Sequence, residues 1–158
     1  RGLQQAIGTT ITAPHVLTTA GTYYPIISLR LKSTTLDAIV ILTALSVMAA
    51  TANANYNWRV IAAATTTGGT WTSAGSESSV EYNLTGTATT GGRIMAQGYF
   101  SSTNQSTSSV DILKEALFKF QLERDGLSAT PYELTLAVTA SVSTSNVHAS
   151  MDWEEISR

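Results

Sequence analysis

The chain has no cysteine among its 158 residues. Disulfides, thiol chemistry and thiolate metal sites are therefore excluded, although the absence does not assign a redox compartment. Charge is scarce as well. Asp, Glu, Lys and Arg make up 13% of the chain, about half the share usual for a soluble domain. Nine basic residues against eleven acidic ones leave a net charge of −2, so no electrostatic footprint for nucleic acid exists. Only three prolines and two histidines are present.

No long apolar run occurs either. The longest stretch, residues 36–50, is interrupted by Asp37, Thr43 and Ser46. It is shorter than the roughly 20 apolar residues of a bilayer span and has no basic flanks. It reads as a central strand buried on both faces, and no membrane insertion is expected. Residue 1 is Arg, and residues 1–13 lack the basic-then-apolar pattern of a signal peptide. The expectation is a processed product or the C-terminal piece of a longer protein.

What is abundant is the small hydroxyl: 18 serines and 25 threonines. The hydrophobic fraction of 43% suffices for one core, and rules against disorder at so small a net charge. Period-2 alternation dominates. Ile27, Leu29 and Leu31 oppose Ser28, Arg30 and Lys32. Tyr56, Trp58, Val60 and Ala62 alternate with Asn57, Arg59 and Ile61, and Val80, Tyr82 and Leu84 with Glu81 and Asn83. Leu134, Leu136, Val138 and Ala140 oppose Glu133, Thr135, Ala137, Thr139 and Ser141. Near the end, Val147, Ala149, Met151 and Trp153 oppose His148, Ser150, Asp152 and Glu154. Each run suits a half-buried strand.

Residues 110–124 contain good helix formers, but alternation within them and the strands around them favour a turn at 113–115 followed by a strand. Asp125-Gly126, residues 67–70 and residues 90–93 are turn signals. Residues 101–109, SSTNQSTSS, read as an exposed connection. These features predict an all-β chain: an antiparallel β-sandwich, jelly-roll-like, with about 8–9 strands. Residues 1–22 form an N-terminal arm or first strand, and 23–158 the single sandwich domain. A surface this poor in charge needs covered edges, which points to burial against neighbouring subunits.

No catalytic constellation is evident. His15 follows Pro14 in a predicted loop, and His148 lies on a polar strand face with Asp152 four positions on, too far along a strand to form an acid–base pair. Both histidines read as solvated. The carboxylates are scattered, and Glu154-Glu155 reads as a solvated or salt-bridged pair. No calcium loop, phosphate-cradling loop, dinucleotide fingerprint or nucleophile elbow occurs. No catalytic, cofactor-binding or metal residue is assigned, no cofactor is expected, and the chain is not expected to be an enzyme. Asn83-Leu84-Thr85 and Asn104-Gln105-Ser106 match a glycosylation pattern that chance produces in so hydroxyl-rich a chain. Trp58 and Trp153 read as core. Trp71, after Gly68-Gly69, is the one candidate for ligand or partner contact: on a loop it could stack on a sugar or anchor a partner, whereas beginning a strand it would pack inward.

Seven segments carry a family resemblance: 27–33 (ISLRLKS), 36–41 (LDAIVI), 53–61 (NANYNWRVI), 67–75 (TGGTWTSAG), 79–86 (SVEYNLTG), 111–124 (DILKEALFKFQLER) and 150–156 (SMDWEEI). Over residues 23–158 the chain resembles virion structural proteins of tailed phages, especially those of marine cyanobacteria. The resemblance brings no catalytic residue. It implies a non-enzymatic module on the virion exterior, the C-terminal head of a tail fibre, spike or similar appendage. Such a module assembles as a homo-oligomer, with a trimer favoured, beside other virion proteins. It adheres to a host-surface glycan or protein through loops 65–75, 87–93 and 101–109. A capsid decoration protein, and a free carbohydrate-binding module or glycan-cleaving domain, are the alternatives.

Overall fold

Twelve strands and no helix occur among the residues that the computed structural model describes, which are 2–102, 121–122 and 130–156. In chain order they are β1 (Gly2–Gly8), β2 (His15–Leu17), β3 (Tyr24–Leu31), β4 (Ile39–Ala49), β5 (Asn55–Thr67) and β6 (Thr72–Ser73). There follow β7 (Val80–Asn83), β8 (Ala88–Thr90), β9 (Arg93–Ser101), β10 (Gln121–Leu122), β11 (Glu133–Ala140) and β12 (Ser145–Ile156). The sequence expectations for 103–120, Asp125-Gly126 and Asn104 lie outside the described residues.

All pairings between these strands are antiparallel, and they make two sheets. Sheet I runs β1-β12-β4-β10, with β2 also on β12; sheet II runs β6-β7-β3-β11-β5-β8, with β9 also on β5. Two interrupted runs simplify the topology. β1 and β2 follow one another along β12, pairing Gly8 with Ser150 and then His15 with Val147. β8 and β9 likewise follow one another along β5, pairing Thr90 with Thr65 and then Arg93 with Ala62. Apart from the short β6–β7 pair, eight runs remain. Numbered along the chain, they lie 1-8-3-6 in sheet I and 2-7-4-5 in sheet II. That connectivity is a jelly roll, two Greek keys folded face to face.

The alternation read from the sequence sorts the faces. Leu29, Leu31, Val60, Ala62, Leu134, Leu136 and Val138 of sheet II meet Val40, Leu42, Leu45, Val147, Met151 and Trp153 of sheet I in one buried cluster. Within it the Tyr56 and Phe100 rings stack with centroids 4.7 Å apart and planes 3° from parallel. Burying such side chains contributes roughly 1.5–3 kcal/mol each.

One expectation is corrected. β4 is central in its sheet, but it is covered on one face only: Val40, Leu42, Leu45 and Ala49 are buried, whereas Ile39 and Met48 are exposed. Among the described residues sheet I has no second layer on its outer side.

The outer side of sheet II is more closed. A bulge at Ala63, which adopts a left-handed φ of 59°, bends the end of β5. Thr66 then reaches across the sheet, and its hydroxyl lies 2.7 Å from that of Ser28. Ile61, Ala64 and Ala137, with Tyr23 against them, form a second small apolar cluster there.

Candidate functional site

Between Gly8 and His15 the chain leaves the edge of sheet I and returns. This six-residue excursion is closed by a bond from the Ala13 amide to the Thr10 carbonyl, 2.9 Å long. It is stitched to β12 by Thr9. The Ala149 amide donates to Thr9 Oγ1, and that hydroxyl lies 2.9 Å from His148 Nδ1. The same hydroxyl lies 3.5 Å from the Ala149 carbonyl, which accepts from it. These bonds fasten the excursion to β12.

The excursion, β2 and the 84–87 segment after β7 enclose a groove of about 660 Å³. Thr9, Thr10, Thr18, Thr85 and Thr87 put hydroxyl-bearing side chains on its walls, and Pro14, Val16 and Leu84 supply apolar surface. The Tyr24 phenol is held at one end by Thr18 Oγ1 at 2.7 Å and by the Thr19 amide at 3.0 Å. Those bonds draw its pKa below the ordinary tyrosine value.

His15 also lines the groove, and here the solvated reading is corrected. It is half-buried at the start of β2, and its Nε2 donates to the Gly86 carbonyl at 3.3 Å. Nδ1 is enclosed without a partner. Burial pushes the imidazole below its ordinary pKa, outweighing the opposing effect of the Gly86 bond. A neutral imidazole among threonines can bind a polar ligand. Among the described residues no group of three or more His, Cys, Asp or Glu side chains could hold a metal ion.

Trp71 lies on the segment leading into β6, half-buried. It neither enters the core nor stands free. The Arg30 guanidinium sits 4.0 Å from the centre of its ring and is itself paired with Glu81 at 2.9 Å. One face of the indole is therefore already occupied. The expected contact loops 65–75 and 87–93 are corrected in part, since they contain the end of β5, β6 and β8; they lie side by side, with the Thr87 amide bonded to the Thr67 carbonyl and the Thr70 amide to Thr85 Oγ1. Asn83, in the first glycosylation match, is buried and bonded at both ends, donating to the Gly68 carbonyl and accepting from the Thr85 amide.

Glu155 is a second correction. It is 2% exposed, not solvated, and accepts from Ser78 Oγ, the Ser79 amide and Trp153 Nε1. The alternation itself placed position 155 on the inward face, beside Trp153, and that was the available signal. The sequence also gave no weight to Arg59 and Tyr99, which share the outer face of sheet II. No protein-family model and no curated protein matches this chain.

Proposed function

We propose that the chain is a non-enzymatic structural module on the exterior of a tailed-phage-like virion, the head of a tail fibre, spike or similar appendage. It acts by self-assembly, with three copies about an axis, and by adhesion to the host surface. The observation that carries this reading is the outer face of β4. Paired residues share a face, so Ile39, Ile41, Ala44, Ser46 and Met48 form an outward stripe without a single charge. Ile156, opposite Ile39, extends it, while Asp152 and Glu154 of β12, opposite Ala44 and Ile41, border it. The edge strand β1, GLQQAIG, on the far side of β12, carries no charge and no proline, so it lacks the usual protection against pairing with another chain. A jelly roll with an apolar outer stripe suits packing against copies of itself.

Sedimentation equilibrium of the purified chain tests the assembly. A trimer is expected, and Ile39→Glu with Met48→Glu should release monomers that keep their strand spectrum. A wild-type chain that stays monomeric at high micromolar concentration removes the reading. Immunogold labelling of particles tests the place: label at the tail supports the appendage, and label over the capsid faces transfers the module to decoration.

A further inference from the structure

The outer face of sheet II carries a small constellation that the fold does not need. Tyr99 of β9 pairs with Asn57 of β5, and Asn57 pairs with Thr139 of β11. Two residues along, Gln97 pairs with Arg59, which pairs with Ala137. These side chains therefore share one patch. Tyr99 is 82% exposed, the most exposed of the large hydrophobic side chains described. Nothing in the core accounts for an aromatic ring displayed in this way.

Arg59 is the second anomaly. Its guanidinium carbon sits over Tyr23, 4.1 Å from the ring centre. Tyr23 is in turn anchored, its hydroxyl donating to Asn57 Oδ1, and Asn57 Nδ2 donates to the Gly98 carbonyl. The platform beneath Arg59 is thus rigid. Yet Arg59 Nε is enclosed without a partner, and no carboxylate pairs with Arg59 among the described residues. A half-buried guanidinium without a counterion is costly, and the ring beneath it offsets only part of that cost. Thr139 Oγ1, on the same patch, is also enclosed and unpartnered.

We infer that this patch is a binding site for an acidic sugar, a pyranose carrying a single carboxylate. One cation matches one carboxylate, and with Nε enclosed the two Nη groups of the planar guanidinium are the fork that would hold it in bidentate fashion. One exposed ring matches the C–H face of one pyranose. The Gln97 amide supplies donors and an acceptor for ring hydroxyls. An acidic peptide would call for several cations, and the patch has one. The inference rests on the adhesion reading above and names the chemistry that adhesion uses.

The test is NMR titration of the full chain with methyl glucuronide, N-acetylneuraminic acid, methyl glucoside and acetate. At least one acidic sugar should bind at millimolar concentration, about tenfold or more tighter than the neutral glucoside, as expected for one charge-assisted pair. Arg59→Gln should abolish that preference. Tyr99→Ser, at an exposed position that does not support the core, should weaken sugar binding while leaving thermal melting unchanged. Absence of binding by both acids overturns the inference, as does acetate binding equally well or affinity unaffected by both substitutions. If neither acid binds while immunogold still marks the tail, the site falls and the appendage reading stands. If the acid binds and no particle is labelled, the site stands alone.

Discussion

His15 donates through Nε2 to Gly86, and its enclosed Nδ1 makes protonation unfavourable in the folded chain. The folded pKa lies below the ordinary 6.5. The unfolded chain therefore binds the proton first as pH falls, and stability is lost as pH drops through 6.5 toward the folded value. Thermal melting should accordingly fall between about pH 7.5 and about pH 5.5, before the carboxylates titrate. His15→Gln keeps an amide donor for Gly86 and should flatten that dependence. A melting temperature equally pH-sensitive in the variant would remove this account. None of this was legible at the residue itself. A histidine after Pro14 reads as a loop side chain, and only the approach of the distant 84–87 segment buries it. Asn83 makes the same point, since its glycosylation match is local, whereas its burial depends on the 68–70 turn.

At the scale of the strand, much was readable. The inward sets of β3, β5, β11 and β12 follow the alternation residue for residue, because a pleated strand with one buried face must segregate its side chains. Bulges at Ala63, between Val60 and Ile61, between Leu136 and Ala137, and between Asp152 and Trp153 were not readable. Each depends on the partner strand as much as on its own residues. The fit of β9 over β5 depends on such a cross-strand detail. A Cβ on Gly98 would lie 2.8 Å from the Trp58 indole. Gly98→Ala should therefore push the indole out of place and destabilise the fold by about 1–3 kcal/mol. Urea denaturation followed by tryptophan fluorescence would report both effects, and an unchanged midpoint would contradict the packing argument.

Across the whole molecule, Glu155 ties the sheets together. Its carboxylate projects from β12 of sheet I and accepts from Ser78 and Ser79, which precede β7 of sheet II. Glu155→Gln is nearly isosteric but turns one acceptor into a donor. In one orientation it faces the Ser79 amide, in the other Trp153 Nε1, so one N–H is left opposed either way. A loss of about 1–3 kcal/mol is expected, and more for Glu155→Ala, which leaves three donors unanswered. A denaturation midpoint equal to wild type for Glu155→Gln would contradict the clamp.

Composition and alternation alone determined that this chain is all-β, which side chains of β3, β5, β11 and β12 face the core, and that Trp58 and Trp153 are inside. These properties are local, set by every second side chain along a single strand. Only the tertiary structure decided the 1-8-3-6 and 2-7-4-5 strand order, the burial of His15 and Glu155, and the meeting of Arg59 with Tyr23. Those depend on which distant segments become neighbours, and many pairings satisfy the same alternation until the sheets close on one core.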